Sequence, residues 1–313
     1  MKTAVIAIGG NAIIKEGQKG TLEEQFENVM KSCDHIIDLL EVGYNVVLTH
    51  GNGPHVGNSL IKGEAAKEKV PAYAMDACGA ETQGLLGYII KQSLANRLEE
   101  RKMDRKIVSL ITQVEVSETD EAFLNPTKPV GPFFSEEEAG MLTELKGYIM
   151  KEDSGRGYRR VVASPRPIEI MEKEAIRDLS ASGYLVVAAG GGGIPVVRNR
   201  DGLYSGIEAV IDKDYASALL ALEIDADLLI ILTGVEKVSI NFGKHNQENL
   251  DVMDVQTARK HMSDGQFPPG SMGPKIDAAL SFVETTGGTA LITSIDELKR
   301  AVKGETGTRI VKY

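Results

Sequence analysis

The chain opens with Ala4-Val5-Ile6-Ala7-Ile8-Gly9-Gly10-Asn11, an apolar strand pattern that ends in two glycines and an amide. Three further apolar runs end in the same way, at Gly51, Gly190 and Gly234. Glycine at the end of a strand lets backbone N–H groups approach an anion, and a following helix adds the positive end of its dipole. The pattern predicts a parallel sheet with one edge built to hold phosphate-like groups. The P-loop pattern that usually does this is absent from the sequence.

Strand and helix patterns alternate along nearly the whole chain. A helix follows Thr21, which forms a capping box with Glu24, and Gly43 ends its apolar stripe. Such alternation predicts a three-layer α/β/α sandwich with a mainly parallel central sheet. A proline- and glycine-rich segment at about 115–160 interrupts the rhythm, and its aromatic residues predict a small protruding lobe.

The composition excludes several classes of protein. The 313 residues include 35 Lys and Arg against 45 Asp and Glu, a net charge of −10, with no basic run for a nucleic acid. No apolar stretch is long enough to cross a membrane. Cys33 and Cys78 have no partner spacing for a metal or a redox pair, so we expect a reducing, cytoplasmic setting and no metal held by side chains.

The first two glycine-ended strands carry neutral polar groups. The residues concerned are Gly9, Gly10, Asn11, Gly51, Asn52 and Gly53. Two such segments on neighbouring strands would bracket a small anion with backbone and amide donors. Gly and Asn are also common in ordinary turns, so the two segments together indicate an anion site more strongly than either segment alone.

Three lysines stand where a positive charge could be held over that edge. Lys128 lies between Pro126 and Pro129, which stiffen the backbone around it. Lys213 precedes Asp214, an N-cap or first-turn carboxylate, at a strand-to-helix junction. Lys275 follows Gly273 and Pro274 at a helix start. From local sequence alone, each lysine could also be a solvated loop or helix-end residue.

At this point the combination of blocks resembles the carbamate kinases, within the amino-acid kinase superfamily. The resemblance runs nearly end to end. Its blocks are Ile8–Ala12, His50–Pro54, Pro126–Phe133, Arg159–Val162 with Ser164 and Pro165, Gly190–Pro195, Glu208–Asp214 and Phe267–Lys275. Sibling kinases usually have a lysine where Asn11 stands, and Lys128 takes over that charge in the carbamate kinases. Position 55 commonly holds Gln in this family and is His55 here.

The resemblance implies the reversible reaction ATP + carbamate ⇌ ADP + carbamoyl phosphate, with Mg²⁺ on the nucleotide, in a homodimer that makes ATP during arginine or purine fermentation. It implies a carbamate-binding lobe over 1–210, which includes the protruding lobe, and a nucleotide-binding lobe over 211–313, within one kinase domain. Catalysis would fall to Lys128, Lys213, Asp214 and Lys275. Nucleotide binding would fall to Lys213, Thr233, Gly234, Val235, Ile240, Met272, Gly273, Pro274 and Lys275.

Two alternatives stay open at the level of sequence. One is another kinase of the superfamily, acting on acetylglutamate, UMP or a similar acceptor. The other is a nucleotide-binding regulator without catalysis, although a regulator has no need to keep three separated lysines.

Overall fold

The computed structural model describes residues 1–15, 17–153 and 155–312. Its main sheet has eight strands, numbered along the chain. In spatial order they are β15 (Val252–Asp254), β17 (Thr308–Val311), β16 (Thr289–Ser294), β12 (Leu228–Thr233), β1 (Lys2–Ile8), β2 (Tyr44–His50), β9 (Leu185–Val187) and β3 (Ile107–Ser109). All neighbours are parallel except β16 and β17. The prediction of a mainly parallel central sheet is confirmed.

Helices cover both faces of this sheet. The helices of the described residues are α1 (Leu22–Glu41), α2 (Gly53–Ala66), α3 (Met75–Glu100), α4 (Glu136–Lys146), α5 (Lys173–Ala181), α6 (Lys213–Glu223), α7 (Val255–Ser263), α8 (Met272–Thr286) and α9 (Leu298–Val302), of which α4 belongs to the protruding lobe. Alternate residues of β1 enter two separate cores, because successive side chains of a strand point to opposite faces. Ala4 and Ile6 pack with α1 and α3, whereas Val5 and Ala7 pack with α6 and α8. The three-layer sandwich is therefore observed.

The predicted capping box at the start of α1 is present. Thr21 accepts a hydrogen bond from the backbone N–H of Glu24, whose carboxylate accepts from Thr21 N. Cys33 lies fully buried on the inner face of this helix, where burial raises the pKa of its thiol. It is a packing residue, as its place on the apolar stripe predicts.

Several elements were not predicted from the sequence, and two of them pack against helices of the main layers. The first is α2, because Gly51-Asn52-Gly53-Pro54 has the composition of a turn; in the structure Pro54 lies in the first turn of a helix, where its missing N–H costs nothing. The second is the short strand β8 (Pro167–Ile170). It joins β11 (Tyr204–Gly206), β10 (Ile194–Arg198) and β4 (Gln113–Val116) in a separate four-stranded sheet.

The segment at 115–160 does fold, with shifted limits. Glu115 and Val116 belong to β4, and the lobe's own sheet consists of β5 (Lys128–Phe134), β7 (Tyr158–Val162) and β6 (Met150–Glu152), with α4 beside it. A two-stranded hairpin of β13 (Val238–Ile240) and β14 (Glu248–Leu250) stands apart. The division at residue 210 stays a prediction.

Candidate active site

A buried carboxylate joins two of the three lysines. Asp214 accepts from Lys213 Nζ at 2.5 Å through Oδ1 and from Lys275 Nζ at 2.8 Å through Oδ2. The Asp214 side chain is 4% exposed, against 13% for Lys213 and 17% for Lys275. The structure therefore brings together residues that are up to 62 positions apart in the chain.

The two helices that carry these lysines meet at their first turns. Asp212 caps α6, since its Oδ1 accepts from the backbone N–H of Asp214 at 2.9 Å. Lys275 lies in the first turn of α8, and α6 and α8 pack against each other. Of the two roles the sequence left open for Asp214, the structure assigns the first-turn carboxylate, and the cap is Asp212.

The charged groups of this cluster shift one another's pKa. Burial alone would raise the pKa of Asp214, but the adjacent Lys213 and Lys275 ammonium groups outweigh it and hold the pKa of that carboxyl well below its usual range. Burial and the neighbouring Lys213 lower the pKa of Lys275, opposed by Asp214. The arrangement keeps Asp214 ionised and places two donors side by side at the end of the sheet.

The third lysine has a different partner. Lys128 Nζ donates to Asp212 Oδ2 at 2.5 Å, across 84 residues of sequence. Asp214 therefore contacts Lys213 and Lys275, whereas Asp212 contacts Lys128. Asp212 was missed, although its place directly before Lys213 and its residue type as a helix N-cap were visible in the sequence.

The first two strand ends converge on Lys213. A Cβ added at Gly51 would lie 3.4 Å from Lys213 Cδ and 3.5 Å from Gly10 N. Gly9 lies beside the end of β12, where a Cβ would be 3.6 Å from Leu232 O. Gly53 begins α2, whose N-terminus has no side-chain cap. Glycine at position 51 thus leaves the path between the lysine stem and the Gly10 backbone open.

Asn11 and Asn52 are the two side-chain amides of the predicted anion-binding segments, and the structure describes the side chain of Asn52 only. Asn11 lies in the 3₁₀ turn Gly10–Ala12, and its side chain is outside what the structure describes. Asn52 is buried, and its Nδ2 donates to Thr82 Oγ1 at 2.8 Å. The side chain of Asn52 is therefore engaged with α3, and its proposed contact with substrate rests on the backbone.

The third glycine-ended segment, Gly190–Gly193, is packed closely against other parts of the chain, and its role in holding an anion stays a prediction. All four glycines are buried, and the N–H groups of Gly192 and Gly193 bond to Ala189 and Gly190 carbonyls. An added Cβ at Gly190 would fall 2.4 Å from His50 Nε2, and one at Gly191 would fall 2.2 Å from Asn52 Nδ2. These glycines are required because other chain segments pass closely over them.

The residues predicted for the adenine side come from three elements. Thr233 ends β12 and is followed by Gly234 and Val235, Ile240 ends β13, and Met272 begins α8. Ile240 and Met272 pack against the same core cluster. Gly273 is held close to the preceding loop, with Pro268 O 3.0 Å from where its Cβ would lie, and Pro274 follows in the first turn.

Two histidines lie near the second strand end and are neutral. Burial lowers the pKa of His50 to about 4 and, together with Lys62, that of His55 to about 4. Among the residues the structure describes, no three His, Cys, Asp or Glu side chains form a group that could hold a metal ion. No helix in the described ranges is long and apolar enough to cross a bilayer.

Comparison with protein families shows which family the chain belongs to. Residues 2–294 match the model of the amino acid kinase family. The chain belongs to the amino acid kinase family. The match covers the main sheet from β1 to β16 and includes every residue assigned above to the candidate site.

Within the amino acid kinases, the chain is similar over its full length to proteins named for carbamate. It is 50% identical to the carbamate kinase-like protein YahI of Escherichia coli, over 98% of each chain. It is 47% identical to the carbamate kinase of Pyrococcus furiosus, over 99% of each chain. The solved carbamate kinase of Giardia lamblia bound to AMP-PNP is 42% identical with a TM-score of 0.92, over 100% of this chain and 99% of that one.

Proposed function

We propose that this chain is a carbamate kinase, which transfers a phosphoryl group reversibly between ATP and carbamate. The observation that carries the proposal is the convergence of Gly10, Gly51 and Lys213 at one point, with Asp214 joining Lys213 to Lys275. Neutral backbone donors on one side and ammonium groups on the other match an anionic acceptor and a triphosphate. The names of the full-length relatives support the same assignment.

The reaction needs positioning and charge stabilisation more than proton transfer. Carbamate is already an anion, so its oxygen can attack the terminal phosphorus without a base while ADP leaves. Neutral donors from Gly9, Gly10, Gly51 and Gly53, with Asn11 and Asn52, would hold it without withdrawing charge from the attacking oxygen. Lys128 would contact carbamate and the transferring phosphoryl group.

The nucleotide would lie along α8 and the end of β12. Lys213 and Lys275 would neutralise charge on the phosphates in the transition state, and Asp214 would keep both ammonium groups oriented. Thr233, Gly234, Val235, Ile240 and Met272 would surround the base. AMP-PNP in the Giardia lamblia relative supports a nucleotide at this kinase fold.

Mg²⁺ would arrive on the nucleotide. Asp212 and Asp214, the carboxylates seen beside the lysines, are both already engaged by ammonium groups, so the protein offers the metal no free carboxylate in the described part of this cluster. The ion would neutralise charge on the phosphates, and Lys128, Lys213 and Lys275 would supply the remaining positive charge.

We also propose a homodimer in the cytoplasm. Leu85 and Tyr88 are exposed one turn apart on α3, and Ile111 is exposed just beyond the edge strand β3, which leaves apolar surface for a second copy. Cys33 and Cys78 are both free and buried, in keeping with a reducing compartment.

The deciding experiment follows ATP made from ADP and carbamoyl phosphate. Wild type should make ATP, whereas Lys128→Ala, Lys213→Ala and Lys275→Ala should each lose at least about tenfold in kcat while staying folded, since one positioned charge is worth about 10²–10³ in rate. Parallel assays with UMP and acetylglutamate test the sibling activities. A folded wild-type protein that makes no ATP from carbamoyl phosphate would refute the proposal.

A further inference from the structure

The carboxylate of Asp212 performs two separate tasks with its two oxygens. Oδ1 caps α6 through the backbone N–H of Asp214 at 2.9 Å, and Oδ2 accepts from Lys128 Nζ at 2.5 Å. A cap needs one oxygen only: Asp254 caps α7 through Oδ1, which accepts from Thr257 N at 2.6 Å. The second bond of Asp212 is therefore an addition to the capping role.

The backbone under Lys128 is held in place independently of this ion pair. β5 crosses α2 where Gly131 meets Gly57 so closely that a Cβ at Gly57 would fall 1.9 Å from Gly131 Cα. In the neighbouring strand, Val162 pairs with Lys128. The strand therefore brings the backbone of Lys128 to the site. The direction of its long, flexible side chain is set by the bond to Asp212.

The charges of the cluster single out Lys128 as the ammonium that can change partner. Three lysines face two aspartates; Asp214 takes two lysines and Asp212 takes one. Lys128 is also the most exposed of the three, at 28%, against 17% for Lys275 and 13% for Lys213. An incoming anion can therefore reach Lys128 without taking an ammonium group from the more buried Asp214 cluster.

We propose that Asp212 is a positioning residue for Lys128: in the free enzyme its carboxylate holds the ammonium group over the site, and the anionic substrate then replaces it. The inference rests on the proposed function and deepens it. Asp212 costs some affinity, because a carboxylate beside the site repels an anion, and it contributes rate, because the lysine is already oriented when the substrate arrives.

The test is Asp212→Asn, with Asp254→Asn as the matched control. The amide keeps an oxygen for the cap of α6 but presents N–H groups to Lys128, so the ion pair is lost while the helix start is retained. We expect kcat for ATP synthesis from carbamoyl phosphate to fall about three- to tenfold, with KM for carbamoyl phosphate unchanged or lower. Asp254→Asn should alter neither. Asp212→Ser, which also caps, serves as a second variant should the amide fold poorly.

A double-mutant cycle separates action through Lys128 from any other role. In a Lys128→Met background, Asp212→Asn should cause no further loss of kcat, because the lysine it orients is gone. Losses that multiply across the two sites would overturn the proposal, as would equal kcat in Asp212→Asn and wild type.

Chemical labelling gives a readout without turnover. In ligand-free protein, acylation of Lys128 by acetic anhydride, measured by peptide mass spectrometry relative to Lys151 on the same lobe, should rise about two- to fivefold in Asp212→Asn. Unchanged labelling would refute the holding role of Asp212. An inactive wild type would instead refute the proposed function, and labelling would still decide whether Asp212 holds Lys128.

Discussion

At the scale of single residues, His55 shows how burial sets a protonation state. Its Nε2 donates to Gln25 Oε1 at 2.9 Å, and its buried Nδ1 has no hydrogen-bond partner among the described residues. A proton on Nδ1 would be a buried charge, which is why the pKa is lowered to about 4. The pair joins the first turn of α2 to α1 as a neutral contact.

His55 should therefore make the fold sensitive to acid. Its folded-state pKa lies below the ordinary value of 6.5, so the unfolded chain binds an extra proton between the two values and stability is lost as pH falls through that window. From pH 7.5 to 5 the loss due to this group is on the order of 2 kcal/mol. Gln is common at position 55 in the family that the sequence resembles. His55→Gln should remove the loss of stability due to His55 and leave the loss due to His50.

Urea unfolding at pH 7.5 and pH 5 measures the effect. The exposed loop residue His245 provides the control, since His245→Gln also removes one imidazole. A fall in stability between the two pH values that is as large in His55→Gln as in wild type would contradict the assignment.

At the scale of elements, the seat of the protruding lobe is a contact between two glycines. Gly57 lies inside α2, and Gly131 lies in β5 with φ +76°. The approach requires hydrogen at Gly57, whereas at Gly131 it is the positive φ that favours glycine, since a Cβ there would lie 3.5 Å from Gly57 Cα. The helix that begins just after the end of β2 thus also contacts the strand that carries Lys128.

Gly57→Ala should separate this contact in spite of alanine's better helix propensity. Its Cβ would meet Gly131 Cα at 1.9 Å, so β5 must move and Lys128 with it. Overpacking of this kind costs about 1–3 kcal/mol. We expect a lower Tm and a kcat reduced at least several-fold, both measurable on one preparation.

Gly140→Ala is the matched control for helix propensity. Gly140 lies in the interior of α4, and beyond the helix's own backbone no described atom lies within 4 Å of where its Cβ would be, so the change should stabilise slightly, by about 0.5–1 kcal/mol, with kcat unchanged. Gly57→Ala with a raised Tm would show that β5 does not rest on α2 as described.

At the scale of the whole molecule, Arg166 connects the return from the lobe to the helices of the site. Its backbone N–H donates to Asp120 Oδ2, and its Nη2 donates to Asp277 Oδ2 at 2.7 Å on α8. Its guanidinium carbon lies 3.5 Å from the ring centroid of Tyr215 on α6, and Tyr215 also donates to Asp277. Arg166 thereby joins the segment that returns from the protruding lobe to both helices that carry the site lysines.

Arg166→Met should loosen this connection with little loss of global stability. The Arg166 side chain is 59% exposed, and pairs of that kind contribute about 0–1 kcal/mol. We expect faster amide hydrogen exchange across residues 117–165 and a kcat lowered several-fold, with Tm nearly unchanged.

A second arginine, Arg259 on α7, also pairs with a carboxylate of α8 and is the control. Arg259 pairs with Glu284 on α8 at 2.6 Å and is 55% exposed, but it lies away from the lobe. Arg259→Met should leave exchange in residues 117–165 at the wild-type rate. Equal exchange in the two variants would mean that Arg166 does not couple the lobe to the helices.

The sequence by itself determined the layered fold and which residue types are available at the candidate site. The alternation of apolar residues in β1 and the capping box at Thr21 act locally, so their consequences could be predicted from spacing. Gly9, Gly10, Gly51 and the three lysines were recognised because glycine and lysine at strand and helix ends have few other uses together.

Only the tertiary structure decided how these parts are paired. The two lysine–aspartate partnerships join residues up to 84 positions apart, and the pattern of residues around each lysine is the same whichever carboxylate it meets. Gly190–Gly193 is a further example. Its sequence is typical of an anion-binding strand end, and the tertiary structure packs the side chains of His50 and Asn52 against it. Local spacing specifies which residues are available, whereas packing of distant segments selects which of them touch.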